Sequence, residues 1–306
     1  MLISEYCITP DVFDISCYAD KKICGLYLEQ LLSFILEEAI VCDLCTGKWS
    51  SWIKKSPHSH PHTKFKILAT FKKEGRIHFA QNFCSGNVNQ YEYENWLDVA
   101  IKYYKRNPST KIITSTHQIS KLPKSVHKDF KPIEKIASFP RHSSIRLERK
   151  TAAYLTILKP IFKYSNSLMF IDPYLHLGHK DYREFIQLLE AIVKDRDEKI
   201  QSLQPKIEIH TSCQNANPED MKASFIKKTK HLGLKITVYI WDDFHDRFLI
   251  SNLIGINLNQ GFSIGNPKDK EKTTWQRLSR TDKEDIEREF HPDSSPHKLI
   301  DQFIIN

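Results

Sequence analysis

Strand-like apolar runs that alternate with helical patterns are the feature that most constrains the fold of this chain. In its second half "SLMFIDPYL", "KIEIHT" and "LKITVYIW" are strand-like, and helical segments lie between them. One of these helices places Phe185, Leu188, Leu189 and Ile192 on a single face. Further strand-like runs follow in "HDRFLIS", "IGINL" and "GFSIG". Strands that alternate with helices and end in a cluster of strands predict an α/β sandwich with a mixed sheet.

The first 120 residues show a different order of patterns. Apolar residues at helical spacing predict a long amphipathic helix from about Leu26 to Leu44. "KFKILATF" and "RIHFA", separated by "KKEG", predict a β-hairpin. "YENWLDVAIKYYK" then predicts a helix, and "TKIITST" predicts a strand. We therefore expect an α+β N-terminal domain over residues 1–120.

A basic segment with several prolines separates the two patterns. Residues 121–144 predict a connector, which leaves residues 145–306 for the second domain. Between positions 121 and 150 there are nine Lys or Arg residues and three acidic residues. Such a stretch attracts a polyanion, either nucleic acid or an anionic membrane surface, although a solvated linker has the same composition.

Composition limits the class of protein. A chain of 306 residues with 40% hydrophobic residues can bury a large core. No apolar run reaches the roughly 20 residues that cross a bilayer, and the N-terminus lacks the pattern of a signal peptide. Seven cysteines, an odd number spread along the chain, favour reduced thiols over a disulfide framework. We therefore expect a soluble, cytoplasmic protein without a glycine-rich loop for ATP or a dinucleotide.

A histidine and an arginine, two residues apart, begin the run "HDRFLIS". Strand periodicity would place His245 and Arg247 on the same face of a sheet. An imidazole in that position can attack or protonate a phosphoryl group, and a guanidinium can neutralise phosphate oxygens. The alternative is a structural arginine that pairs with Asp242 or Asp243 at a strand edge.

The stretch "FHDRFLISN", the later "GFSIGNPKDKEKT" and the upstream "LMFIDPYL" together resemble the phospholipase D-like superfamily. The resemblance covers the predicted second domain. It is strongest to divergent members, including the domain that follows the microtubule-interacting-and-trafficking module. The family signature is His-x-Lys, four residues, an Asp and then a Gly-Ser-rich segment. By this match His245 is the nucleophile, Arg247 binds phosphate, Asn252 replaces the Asp, and Gly261 and Ser263 fall in the Gly-Ser segment.

The resemblance implies a phosphohistidine intermediate, with no metal and no cofactor. Arginine in place of lysine keeps the charge and adds a bidentate donor. Asn252 in place of Asp removes a carboxylate, and Asp172, Tyr174 and Asp243 are candidate supporting residues. A complete site in this family uses two facing motifs, and this chain has one. An active enzyme would therefore be a homodimer that brings two copies of His245 together.

Two further motifs suggest other chemistry. Cys42, Cys45, His58 and His62 have the spacing of a two-Cys two-His zinc site. The helix predicted across the two cysteines and the prolines beside the histidines oppose that interpretation. "GFSIG" matches the nucleophile elbow of hydrolases, but the "NPKDKEK" that follows does not begin a helix.

The leading expectation is a metal-independent phosphodiesterase, specifically a nuclease on DNA or RNA. The resemblance implies an accessory role in prokaryotic defence against foreign DNA. One alternative is a catalytically degenerate module that binds nucleic acid or anionic headgroups, which Asn252 favours. Another is a structural subunit of a larger defence complex. Turnover that survives chelation would separate the first interpretation from the second.

Overall fold

A computed structural model of the chain describes residues 2–80, 83–122, 130–139, 141–194, 196, 204–214, 216–265 and 270–306. The described chain forms two compact units, Ile3–Arg141 and His142–Asn306, and Leu2 belongs to the second. Each unit contains its own sheet, and the protein is mixed α/β.

The first unit is built on a five-stranded sheet in the order β3-β2-β1-β4-β5. All four strand pairs in it are parallel. Its strands are β1 (Ser4–Ile8), β2 (Ala39–Asp43), β3 (Ile77–Phe79), β4 (Lys111–Thr114) and β5 (Phe130–Pro132). Its α-helices are α1 (Lys21–Glu38), α2 (Lys48–Lys55), α3 (Thr63–Lys73), α4 (Tyr93–Arg106) and α5 (Thr116–Ser120). Its 3-10 helices are Pro10–Phe13, Ile15–Cys17, Val88–Gln90 and Ile133–Ser138.

The parallel sheet corrects the prediction of an α+β unit with a hairpin. The first predicted strand of that hairpin is helix α3, and only β3 follows as a strand. The predicted helix from Leu26 to Leu44 is also too long, because the chain leaves α1 at Glu38 and enters β2 directly. All five residues of β2 are buried, and its first four form a continuous apolar run of the kind that also suits a helix.

A disulfide corrects the expectation that all the cysteines are reduced. Cys45 is bonded to Cys84, with their Cα atoms 5.5 Å apart. The other five cysteines are free thiols. Sequence spacing gave no signal for this pair, because the loop it closes contains two helices and a strand.

The predicted connector at residues 121–144 is also wrong in part. Strand β5 and the 3-10 helix that follows it belong to the first unit, which reaches Arg141. The second unit begins at His142, within a few residues of the predicted boundary at 145. Residues 123–129 and 140 lie outside the described residues.

The second unit contains an eight-stranded mixed sheet in the order β13-β9-β8-β7-β10-β11-β12-β6. Its strands are β6 (Ser144–Glu148), β7 (Ser167–Ile171), β8 (Lys206–Ser212), β9 (Ile236–Trp241), β10 (Phe248–Ser251), β11 (Gly255–Leu258), β12 (Lys272–Arg277) and β13 (Leu299–Ile305). Its α-helices are α6 (Thr151–Tyr164), α7 (Phe185–Lys194), α8 (Pro218–Thr229) and α9 (Arg280–Glu289). Its 3-10 helices are Lys180–Tyr182 and Lys230–Leu232.

The centre of this sheet agrees with the sequence prediction. Strands β7, β8 and β9 are parallel neighbours, and the other pairs are antiparallel, so the sheet is mixed as expected. The four apolar side chains predicted to share a face of α7 are all buried. Two details differ: β10 begins at Phe248 and not at the histidine, and "GFSIG" lies in a turn and not in a strand. Within the described residues no helix is both long and apolar enough to cross a membrane.

Candidate phosphate-binding cavity

The segment that follows β7 forms the framework of the candidate site. Strands β7 and β8 are parallel, so their carboxyl ends lie at the same edge of the sheet. In open α/β sheets, ligands bind outside the carboxyl ends of the strands. Asp172 is the first residue after β7, and the segment from there to Tyr182 lies at this edge.

Asp172 is a fully buried carboxylate that joins three segments. It accepts hydrogen bonds from the backbone N–H of Tyr174 at 3.1 Å and of Phe262 at 3.0 Å. The Tyr182 hydroxyl donates to both carboxylate oxygens, at 3.1 and 3.0 Å. Burial raises the pKa of Asp172 to about 6, against the opposing effect of these donors and of Arg247. The carboxyl therefore holds the turn before Phe262 against the end of β7.

Gly261 is required by this arrangement. Its φ is +59°, a left-handed conformation that favours glycine. A Cβ at this position would lie 2.0 Å from Asp172 Oδ2 and 3.0 Å from Arg247 Cδ. The backbone of Gly261 can therefore approach Asp172 this closely only because the residue has no side chain.

A cavity of about 500 Å³ opens beside this carboxylate. Its lining consists of cationic, aromatic and polar side chains and one carboxylate. They are Arg149, Tyr174, His176, His179, Asp181, Tyr182, Arg247, Gln260 and Ser263.

Two guanidinium groups reach the cavity from distant positions in the unit. Arg247 Nε lies 3.9 Å from Asp172 Oδ1, and the guanidinium carbon lies 5.0 Å from the centre of the Tyr174 ring. Arg149 Nη2 donates to Ser263 Oγ at 2.8 Å, while its Nη1 pairs with Glu271. Ser263 Oγ in turn donates to a backbone carbonyl at 2.7 Å. The hydroxyl thus fixes the position of one of the two cations.

Two histidines also line the cavity, in different environments. His179 Nδ1 accepts from the backbone N–H of Asp181 at 3.4 Å, so the neutral ring carries its proton on Nε2. Burial lowers the pKa of His176. Its Nε2 is buried and has no hydrogen-bond partner among the described residues. His179, whose side chain is more than half exposed, is therefore the histidine that a ligand can contact more directly.

His245, the nucleophile implied by the resemblance, does not line this cavity. Its side chain is 75% exposed, and Nε2 lies 3.9 Å from Asp243 Oδ2. His245 to Arg247 precede β10, so the strand periodicity expected for them does not apply. Asp243 contacts the exposed histidine and does not line the cavity, whereas the other supporting candidates, Asp172 and Tyr174, contact Arg247.

Asn252 lies at the opposite end of β10 from Arg247. Five residues along an extended strand separate the two by about 15 Å. Its Oδ1 accepts from the backbone N–H of Asn166 at 2.8 Å and of Ser167 at 3.4 Å. The residue expected at a catalytic position therefore holds the start of β7.

Replacing Asn252 tests this structural role. Asn252→Ala removes the acceptor of two backbone donors and is expected to lower the free energy of unfolding by about 1–2 kcal/mol. Asn252→Asp keeps an acceptor at the same place and is expected to cost less. Urea denaturation followed by circular dichroism measures both changes. Equal stability of the alanine variant and the wild type would contradict the role.

The zinc candidate is not assembled. Cys45 is in the disulfide, and Cys42 Sγ donates to the Tyr103 hydroxyl at 3.6 Å. In the part of the chain that the structure describes, no three His, Cys, Asp or Glu side chains are grouped so that they could hold a metal ion.

The described members of the basic run, between positions 121 and 150, are divided between the two units. Four of its described cations pair with carboxylates, namely Lys121 with Glu94, Arg141 with Glu37, Arg149 with Glu271 and Lys150 with Glu148. Arg149 is the member that reaches the cavity.

Six cavity residues were not predicted from the sequence as site residues. They are Arg149, His176, His179, Asp181, Tyr182 and Gln260. No short motif joins them, because they converge only when β6, the segment after β7 and the turn after β11 meet. The histidine pair in "YLHLGH" was the one local signal that could have drawn attention.

Comparison with known proteins adds little to this geometry. No family model matches the chain. No curated protein matches it either. Among solved structures, TrmBL2, an archaeal chromatin protein with a novel mode of DNA binding, is similar with a TM-score of 0.31 and 14% identity, over 80% of this chain and 84% of that chain. A TM-score this low does not define a shared fold, so the cavity is interpreted from its own residues.

Proposed function

We propose that the His142–Asn306 unit is a phospholipase D-like module that binds the phosphodiester backbone of nucleic acid in the cavity between Arg149 and Arg247. The observation that carries this proposal is the convergence of two guanidinium groups on one cavity at the carboxyl edge of the sheet. Guanidinium groups bind phosphate oxygens through paired, charge-assisted hydrogen bonds.

The acidic groups near the two arginines favour a moderate affinity for phosphate. Arg149 pairs with Glu271, and Arg247 faces Asp172, so both cations have acidic neighbours. The polar contacts of Arg247, at 3.9 Å to Asp172 and 3.5 Å to the Asn259 carbonyl, are longer than strong hydrogen bonds. The guanidinium therefore retains donor capacity for a phosphate.

Binding is expected to strengthen as the pH falls through about 6. Burial raises the pKa of Asp172 to about 6, so at lower pH its carboxyl is neutral and no longer competes with an anion for Arg247. We expect a gain in affinity of about threefold to tenfold between neutral pH and pH 5. Asp172→Asn should bind at neutral pH as the wild type does at low pH. Fluorescence anisotropy with a labelled oligonucleotide measures both.

The same series separates Asp172 from the other titratable groups of the cavity. His176, whose pKa burial lowers, also gains charge as the pH falls, and it does so in the Asp172→Asn variant as well. The pH dependence that remains in that variant therefore belongs to groups other than Asp172. A variant with the full pH dependence of the wild type would exclude Asp172 as the group that titrates.

Salt dependence tests the binding proposal itself. When a protein contacts the phosphates of a single strand, log K for binding falls linearly as log salt concentration rises. The slope is about −0.7 for each phosphate neutralised. We expect labelled DNA or RNA to bind with such a slope. Absence of binding at low salt would leave a structural subunit as the better interpretation.

Hydrolysis of a phosphodiester is the second candidate function. The exposure of His245 favours a reaction in which two copies of the chain each supply this histidine. A side chain that is 75% exposed is accessible to a second copy of the chain. In that reaction an imidazole nitrogen attacks phosphorus, the bond to the leaving oxygen breaks, and the partner's imidazole protonates that oxygen. Water then hydrolyses the phosphohistidine and restores the ring.

Cleavage of labelled DNA and RNA in excess EDTA tests this candidate. Products from the wild type that disappear in His245→Ala would establish a metal-independent, histidine-dependent phosphodiesterase. A dimer in analytical ultracentrifugation should accompany that activity. Binding without products from either protein would leave the module as a binding domain.

A further inference from the structure

The cavity contains groups in addition to those that would bind a phosphate. Besides its two guanidinium groups it presents aromatic rings and an amide side chain. Tyr174 is 36% exposed, and the guanidinium of Arg247 lies over one face of its ring, with its central carbon 5.0 Å from the ring centre. Gln260 adds an amide with both donors and an acceptor. An aromatic surface beside a phosphate-binding cation suits a ligand that joins a phosphate to a planar polar ring.

The size of the cavity supports a ligand larger than a phosphate. A volume of about 500 Å³ falls within the roughly 300–1,000 Å³ of sites that enclose a small organic molecule. A base that is paired within a duplex is not available to such a cavity, because it must first leave the stack. An unpaired nucleotide enters without that cost.

The surroundings of the cavity do not favour a lipid. Large hydrophobic side chains are exposed at several places on the described residues, but only Tyr174 among them lines the cavity. Acyl chains beside a headgroup site need an apolar surface that continues from it. The cavity therefore fits a polar aromatic ligand better than an anionic headgroup with its chains.

We infer that the cavity holds one unpaired nucleotide of a single strand, with its phosphate at Arg149 and Arg247 and its base stacked on Tyr174. This inference rests on the proposed function, because it assigns a substrate class to the same phosphate site. Gln260 and Asp181 then face the polar edge of the base. The site selects single-stranded over double-stranded nucleic acid and tolerates different bases, since every base has a stacking face.

Anisotropy titrations with three labelled probes test the inference. They are a short single strand, an abasic strand with the same backbone, and a duplex of the same sequence. We expect the wild type to bind the natural strand about tenfold more tightly than the abasic strand, since a stacked base contributes about 1–3 kcal/mol. The duplex should bind no better than the abasic strand.

Variants of Tyr174 assign the preference to one ring. Tyr174→Phe keeps the ring and should keep the preference for natural over abasic strands, whereas Tyr174→Leu should abolish it. Phe65→Leu removes a half-exposed ring in the other unit and should change nothing. The quantity compared is the ratio of the affinities for the natural and abasic strands. Loss of the Tyr174 ring also affects Arg247, but that effect changes the binding of both strands alike and leaves the ratio unchanged.

The outcomes distinguish this inference from the function on which it rests. Equal wild-type affinity for natural and abasic strands, with both weakened by Arg247→Gln, would overturn the base subsite and leave the phosphate site intact. Binding that Arg247→Gln leaves unchanged would overturn both. Tyr174-dependent binding to phosphatidylserine vesicles, with none to single strands, would assign the cavity to a lipid headgroup and overturn both.

Discussion

Replacing Arg247 with glutamine is expected to weaken the binding of single-stranded nucleic acid by about tenfold to a hundredfold. The substitution removes a guanidinium that lines the cavity and keeps a polar side chain of moderate length. Charge-assisted hydrogen bonds to an anion contribute about 1.5–3 kcal/mol, which corresponds to this range. Anisotropy at fixed salt and pH measures the change.

A matched arginine in the same unit provides the control. Arg280 pairs with Glu284 on α9 and does not line the cavity. Arg280→Gln removes the same charge from the protein, so it should lower affinity by less than about twofold through long-range electrostatics alone. Equal losses in the two variants would mean that net charge, and not the cavity, determines binding.

Replacing Gly261 with alanine is expected to destabilise the unit by about 3–5 kcal/mol and to abolish binding. The positive φ costs about 1–2 kcal/mol for a residue with a side chain. The new methyl group would also lie 2.0 Å from a carboxylate oxygen of Asp172, which is held by three donors and cannot withdraw. The turn must therefore move away from Asp172, and the lining of the cavity moves with it. Urea denaturation measures the loss.

Gly233 separates the two causes. Its φ is +63°, nearly that of Gly261, but nothing lies within 4 Å of the position that a Cβ would take. Gly233→Ala should therefore cost only the backbone contribution, about 1–2 kcal/mol. Equal losses of unfolding free energy in Gly261→Ala and Gly233→Ala would mean that the close contact with Asp172 does not contribute to the destabilisation.

The helices and strands that could be predicted from the sequence are those whose apolar residues follow one clear pattern. Helix α7 and strands β7 to β9 were predicted because their apolar residues repeat at one spacing or form one short run. Helix α3 was predicted as a strand, although its buried residues Lys64, Ile67, Leu68 and Phe71 have helical spacing. A buried lysine obscured that pattern: its Nζ donates to the Ser56 carbonyl at 2.7 Å, an interaction that sequence does not reveal.

The site was predictable only where a short segment determines the geometry. Arg247, Gly261 and Ser263 were identified by resemblance to a motif, and all three contact the cavity or its framework. Asn252 occupies a motif position as well, but the strand between it and Arg247 carries it away from the cavity. Arg149 was seen only as part of a basic run, since its place in the cavity depends on the pairing of β6 with β12.

Photo-cross-linking of a single strand that carries 4-thiouridine, followed by mass spectrometry of the attached peptides, tests most directly whether the cavity binds nucleic acid. The cavity is formed by residues 172–182, the turn at 260–263 and the two arginines. We predict that the attached peptides contain residues from 172–182 or 260–263, and that Arg247→Gln removes most of this attachment. Cross-links confined to the Ile3–Arg141 unit, or to the lysines of α8, would contradict the assignment of the cavity as the nucleic-acid site.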